Sequence, residues 1–243
     1  MSDRYFVETP ITAEQVTLTG PEAHHLINVM RARRGVRVIL FDGGGSEFSA
    51  RVEQIGRSDV ELTVLGREEV ERELPFVLTL GVALPKGDRQ KWLVEKAVEL
   101  GVGRVIPLKT DRAVAQPVQQ ALDRLRRAVI EASKQCGRNR LMEIAEPLEF
   151  SDYIEATQHQ PCRLLAHPHA SHPISAPLFS GSSPADEPPR KIYLAIGPEG
   201  GFTSEEVTSA AKAGWHIIDL GPRTLRIETA ALLLTAMVIV RRL

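Results

Sequence analysis

The stretch that decides the fold runs from Ile192 to Glu228, with IYLAIGPEGGFTSEEV at residues 192–207 and IIDLGPRTLRIETA at residues 217–230. Each piece opens as a short apolar run with β-branched members and stops at a Gly-Pro pair, Gly197-Pro198 in the first and Gly221-Pro222 in the second. A run of that kind is what a strand buried on both faces requires. Between them Thr203 predicts an N-cap, Glu206 three residues on completes a capping box, and Gly214 supplies the stop. A second helix begins near Glu228. Two strand ends of one parallel sheet therefore carry glycine loops. The crevice at the carboxyl ends of such strands is where ligands bind, because glycine lets backbone N–H and C=O groups come close to them. From the residues alone these loops imply a nucleotide-sized ligand.

Working back along the chain, Phe76–Leu84 predicts a buried strand, Arg89–Leu100 a helix closed by Gly101, and Arg104–Leu108 another strand. Strand, helix and strand at this spacing imply a parallel crossover, so this half is α/β. Pro161–Ala166 adds one more buried strand. Leu122, Leu125, Val129, Ala132 and Cys136 recur at three- and four-residue steps, which predicts an amphipathic helix over Gln119–Cys136. Its polar side carries Arg124, Arg127, Glu131 and Gln135, with Arg138 just beyond. As a solvated face it would hold an Arg127–Glu131 pair contributing a few tenths of a kcal/mol. Ser180–Pro189, rich in Pro, Ser and Ala, predicts a loop.

Ahead of Gly66–Pro75, a charged and aperiodic boundary segment, the pattern changes. Arg4–Val7, Val36–Phe41, Glu47–Ile55 and Val60–Leu65 predict strands, Asp42-Gly43-Gly44-Gly45 a hairpin, and Pro21 the first turn of a short helix that ends before Gly35. These expectations give an antiparallel barrel-like module over 1–70 and an α/β domain over 76–243. Arg31, Arg33, Arg34 and Arg37 cluster where the helix meets the next strand, suited either to phosphates or to a solvated helix end. His24 and His25 are adjacent, so one is expected to pack and one to face solvent.

The 243 residues carry 30 Lys and Arg against 31 Asp and Glu, a formal charge of −1, so no global basic field announces nucleic acid and any RNA surface must be local. Cys136 and Cys162 lack the spacing of a zinc site and imply a reducing, cytoplasmic setting. Thr229–Val240 is nearly all apolar but far short of the roughly 20 residues that span a bilayer, so no membrane is expected, only a buried helix suited to packing against a second subunit. His167, His169 and His172 have no acidic or cysteine partner beside them, and no metal is expected.

At several of these residues the chain resembles a known family. GPEGGFTSEE at 197–206 and LGPRTLRIETA at 220–230 are similar to the two C-terminal motifs of the ribosomal RNA small-subunit methyltransferase E family, of the SPOUT class. ELGVGRVIPL at 99–108, QCGRNR at 135–140, AHPHAS at 166–171, HHLINVMRARRG at 24–35 and FDGGG at 41–45 extend the resemblance over nearly the whole chain. It departs at Ile227, where threonine is expected, and at TDRAV, 110–114, a loose version of an Arg-Ser segment.

The resemblance implies an α/β fold with a SPOUT-type parallel sheet and a C-terminal trefoil knot, preceded by a small PUA-like β-barrel that binds RNA. It implies S-adenosyl-L-methionine as cofactor, held by Leu165, His167, Ile196, Gly197, Pro198, Glu199, Gly200, Leu220, Gly221, Leu225, Arg226, Thr229 and Ala230. It implies RNA contacts at Arg4, His25, Arg31, Arg33, Arg34, Lys86, Arg138 and Arg140. The implied reaction is methylation of N3 of a uridine, uridine 1498, in 16S ribosomal RNA of the small subunit, by a cytoplasmic homodimer. N3 carries a proton on the Watson–Crick edge, so the base must be unpaired and its proton must leave. Arg226 and Arg138 are candidates to stabilise the developing anion, Glu131 and Glu228 to take the proton.

Two other function classes compete. A NAD-dependent oxidoreductase would need glycine where Glu199 stands and N–H groups where Pro198 and Pro222 have none. A non-catalytic RNA-binding protein would have no reason to keep two glycine loops, and an assay for methyl transfer separates it from the enzyme.

Overall fold

The computed structural model describes residues 4–113, 118–168, 170, 172–173 and 190–242. The chain divides into two compact units, one of residues 1–73 with 130–141, the other of residues 74–129 with 142–243. The loop expected over Ser180–Pro189 and the histidine at 169 lie outside the described residues.

In the first unit β1 (Arg4–Phe6) and β2 (Gln15–Leu18) precede α1 (Gly20–His24), and β3 (Arg37–Phe41), β4 (Ser46–Ile55) and β5 (Val60–Glu69) complete a sheet of order β1-β3-β4-β5-β2. Strand β4 shows why it forms: Phe48, Ala50 and Val52 point into the core while Ser49 and Arg51 face out, the period-2 pattern of a half-buried strand. The expected hairpin is present, its turn using positive φ at Gly43 and Gly45.

Three features depart from expectation. β1 pairs with β3 in parallel, so the module is mixed, not antiparallel, as a helix-bearing connection between the two strands permits. β2 carries too few apolar residues to announce itself and is specified by its partner, β5. β5 runs on to Glu69, because the charged residues after Leu65 pair with Ser46–Ser49 at an exposed strand end where neither face demands apolar side chains. Helix α1 widens over His25–Val29: the Met30 N–H donates to the His25 carbonyl five residues back (3.0 Å) and the Ala32 N–H to Leu26 (3.1 Å), with Arg31 at φ 51° closing the end.

The second unit contains β6 (Val77–Val82), α2 (Arg89–Glu99), β7 (Arg104–Lys109), the start of α3 (Gln119–Cys136), β8 (Glu143–Ile144), β9 (Leu148–Glu149), α4 (Phe150–Ala156), β10 (Cys162–Ala166), β11 (His172–Pro173), β12 (Lys191–Ile196), α5 (Ser204–Lys212), β13 (His216–Asp219) and α6 (Ile227–Arg242). The strands lie in the order β11-β13-β10-β12-β6-β7-β8, with β9 also on β7, and every pair is parallel. Helices α2 and α6 pack on one face and α4 and α5 on the other. That two-sided cover explains why Ile192, Leu194, Ala195 and Ile196 are all buried, and why these strands read as continuous apolar runs. The architecture is a parallel α/β sheet, as expected from the sequence, together with a small five-stranded module.

Close packing fixes individual residues. Tyr153 of α4 lies against Gly81 of β6 so tightly that a Cβ there would stand 2.6 Å from its ring, and its hydroxyl donates to the Leu194 carbonyl at 3.1 Å. Burial pushes the Tyr153 hydroxyl far above its ordinary pKa, so it remains a neutral donor. In chain order β13 comes last of all the strands, yet it sits between β10 and β11. The strand ends that matter for binding, those of β10, β12 and β13, are thus brought side by side.

Candidate functional site

A pocket opens at the carboxyl ends of these three strands. Ala166, His167 and Pro168 continue β10 into it. Ile196–Glu199, Gly201 and Phe202 form a second wall after β12. Asp219–Gly221, Arg223–Leu225, Ile227 and Ala230 form a third, between β13 and the first turn of α6.

The wall after β12 is held from several directions. Phe202 is buried and stacks on Phe150 of α4, ring centroids 4.5 Å apart. Gly197 passes so close to it that a Cβ would lie 3.0 Å from the Phe202 ring and 3.1 Å from its backbone nitrogen. The Gly201 N–H donates to the Pro198 carbonyl (2.9 Å), closing a turn, and the Arg112 Nη1 donates to the Gly200 carbonyl (2.9 Å). The predicted capping box is formed: the Glu206 N–H donates to Thr203 Oγ1 at 3.2 Å and the Thr203 N–H to Glu206 Oε2 at 2.7 Å. The wall after β13 is looser. Gly221, at φ 111°, donates its N–H to Asp219 Oδ1 (2.8 Å), while Pro222, Arg223, Thr224 and Arg226 are exposed.

Of the residues expected to hold a cofactor, His167, Ile196, Gly197, Pro198, Glu199, Leu220, Gly221, Leu225 and Ala230 are brought together here. Leu165 is not: one residue short of the strand end, it is fully buried in the core beneath α4 and α5. Gly200 turns its carbonyl to Arg112, and Arg226 and Thr229 are exposed beside the lining residues. The expected cofactor set did not include Phe202, Asp219, Arg223 or Thr224, Asp219 having figured only as the acidic residue of the rival dinucleotide fingerprint. Asp219 was detectable, since an Asp two residues before a glycine is the signature of a side chain that accepts from its own backbone.

The remaining candidates lie in three settings. Glu228, in the first turn of α6, is 6% exposed; its Oε1 stands 3.7 Å from Arg89 and its Oε2 has no hydrogen-bond partner among the described residues. Glu131 and Arg138 belong to the first unit. Glu131 is exposed and pairs with Lys134 (3.2 Å), which also holds Glu22 (2.9 Å), so the partner is one turn on and not Arg127. Arg138 is 4% exposed and grips Glu73 with two hydrogen bonds, one of 3.0 Å.

The residues expected at RNA split in the same way. Arg4 is 4% exposed, bonded to Glu47 (2.8 Å) and Asn139, while Arg72 reaches Glu47 at 3.0 Å. Burial alone would raise the Glu47 carboxyl, but the hydrogen bonds and charges of Arg4 and Arg72 outweigh it and hold the group below the usual carboxylate range. Arg31, Arg33, Arg34, Lys86 and Arg140 are exposed, Arg34 lying 3.8 Å from Glu53. His25 is half-buried with its ring 5.9 Å from Tyr5, and His24 faces solvent.

Comparison with known proteins agrees with this arrangement. A family model for an RNA methyltransferase domain matches residues 72–239, and one for an RNA methyltransferase PUA domain matches residues 18–65. The ribosomal RNA small subunit methyltransferase E of Mycobacterium tuberculosis is 31% identical over 93% of this chain and 87% of its own length. That of Synechocystis is 33% identical over 88% of this chain and 69% of its own. A crystal structure of the Neisseria gonorrhoeae protein of that name, bound to S-adenosyl methionine, superposes with a TM-score of 0.82 at 27% identity, covering 97% of this chain and 96% of that one. With a matched catalytic-domain model, relatives this similar over most of both lengths, and the same fold, the chain belongs to the ribosomal RNA small subunit methyltransferase E family.

Proposed function

We propose that the protein is an S-adenosylmethionine-dependent methyltransferase that modifies N3 of a uridine, uridine 1498, in 16S ribosomal RNA of the small subunit. One observation carries the reading: three adjacent parallel strands end in a single pocket whose closest wall has no room for a side chain at Gly197. A cradle of that kind suits a ligand bound through backbone groups. The cofactor supplies an activated methyl group on a sulfonium, and the chain's task is to place it.

Gly197, Gly221 and the carbonyls beside them are suited to the polar edges of an adenosyl group, and Leu220 and Leu225 to its apolar face. Arg226, between the lining residues Leu225 and Ile227, is the candidate cation for the charge that develops on the uracil oxygens. Glu228 and Glu131 are the candidate proton acceptors.

On this reading residues 1–70 form the RNA-binding module, with exposed Arg31, Arg33 and Arg34 as its phosphate contacts, and residues 76–243 carry the chemistry. Within the first unit the buried Arg4 and Arg138 act by holding Glu47, Asn139 and Glu73 in place. The late strand β13, seated between β10 and β11, is where the chain would be threaded into a trefoil knot. Leu233 and Val240 of α6, with Trp92 of α2, leave apolar surface exposed, which supports a homodimer. A cytoplasmic setting follows from the substrate.

The test is to incubate the protein with undermethylated small-subunit particles and labelled S-adenosylmethionine, then digest the RNA and identify the product by mass spectrometry. One N3-methyluridine per particle is the expected result. Label on a ribose or on another base would overturn the assignment.

A further inference from the structure

The pocket is built from segments far apart in sequence, and one side chain reaches two of them. Arg89, the first residue of α2, donates through Nη2 to Glu199 Oε1 at 3.3 Å, and its Nη1 stands 3.7 Å from Glu228 Oε1. Glu199 lies on the wall after β12, and Glu228 lies between the lining residues Ile227 and Ala230 of α6. Nothing in the expected cofactor, RNA or catalytic sets included Arg89.

The two contacts differ in kind. The Glu228 side chain is 9% exposed, and a buried charge is destabilising unless a cation answers it. Glu199 is 45% exposed, where an ion pair is screened by solvent and adds little to stability. So weak a link does little for the fold, but its location is informative. It joins the turn between Pro198 and Gly201, whose other side is held by Arg112, to the first turn of α6. We propose that Arg89 is a positioning residue for the cofactor: by bridging Glu199 and Glu228 it sets the distance between the glycine wall and α6. The inference rests on the cofactor reading above. It changes the role of Glu199 from a direct ligand contact to the loop's half of a strut.

The experiment is calorimetric titration with S-adenosylmethionine of the full chain and four variants: Arg89→Ala, Arg89→Lys, Glu199→Ala and the Arg89→Ala/Glu199→Ala double. The melting temperature of each is measured in parallel. Arg89→Ala should weaken binding about tenfold, equivalent to about 1.4 kcal/mol. Arg89→Lys, which keeps the charge but loses the planar fork, should recover only part of that affinity. Glu199→Ala should weaken binding several-fold, and the double variant should bind no worse than Arg89→Ala, because one strut can be lost only once. In steady-state assays of Glu199→Ala, which leaves the Arg89–Glu228 pair in place, KM for the cofactor should rise while kcat stays close to that of the unaltered protein.

Wild-type affinity in Arg89→Ala, or losses that multiply in the double variant, would overturn the proposal. If Arg89→Ala proves unfolded, Glu199→Ala decides alone, since its side chain is largely solvated: unchanged affinity there is equally fatal. Failure of the unaltered protein to bind would overturn the cofactor reading itself, a result distinguishable from either of these.

Discussion

The loop after β12 and the loop after β13 begin alike, each with Gly-Pro after a buried strand, and they are built to opposite standards. The first is fixed by a capping box, a buried aromatic stack, and contacts from Arg89 and Arg112. The second has one short backbone contact at Asp219–Gly221 and a row of exposed residues up to Arg226. A wall already held in shape loses little freedom when a ligand arrives, which favours affinity. An open wall with unburied arginines is left to meet a second, larger partner. On the proposed reading both loops offer backbone to the cofactor, and the exposed arginines of the second are suited to the RNA base.

The largest effect that divides the loops is expected from Arg226→Ala. Removing a cation that stabilises developing charge should lower kcat about 100- to 1,000-fold while cofactor affinity, measured by titration, is unchanged. Equal loss of both would erase the distinction between the walls. Gly197→Val should do the reverse. With 3.0 Å between a Cβ and the Phe202 ring, the overpacking penalty of about 1–3 kcal/mol predicts about a 5- to 150-fold weaker cofactor affinity, with binding of RNA to the first unit retained in a gel-shift assay.

Smaller effects separate the loop from the sheet beneath it. Gly81→Ala forces a Cβ to within 2.6 Å of Tyr153 and should cost about 1–3 kcal/mol of stability in chemical denaturation, with cofactor affinity much less affected than by Gly197→Val. Thr203→Ala removes the N-cap of α5 and should cost about 1 kcal/mol, seen as a lower unfolding midpoint. Were Thr203→Ala to weaken cofactor binding as much as Gly197→Val, the first wall would owe its shape to the helix rather than to the glycine.

Much of this was legible in the sequence because the signals were local. Thr203 and Glu206 sit three residues apart, and the spacing alone specifies their reciprocal hydrogen bonds. The buried stripe of α3, Leu122, Leu125, Val129 and Ala132, and its exposed side, Arg124, Arg127, Glu131 and Gln135, follow from a period of 3.6. What escaped depends on partners distant in the chain. Arg89 is an ordinary charged residue at a helix start until Glu199 and Glu228 are brought to it. Arg4 and Arg138 look like phosphate ligands, and only the folded unit shows their charges already answered by Glu47 and Glu73. β2 exists because β5 offers it an edge, and the position of β13 between β10 and β11 leaves no trace in periodicity.

Crystals of the protein soaked with S-adenosylmethionine would show whether backbone at the ends of β10, β12 and β13 closes around an adenosyl group. Ligand density is expected in this pocket, with hydrogen bonds to main-chain atoms between Ile196 and Gly201 and between Asp219 and Leu225. Ligand density elsewhere, with this pocket left empty at saturating concentration, would contradict that expectation.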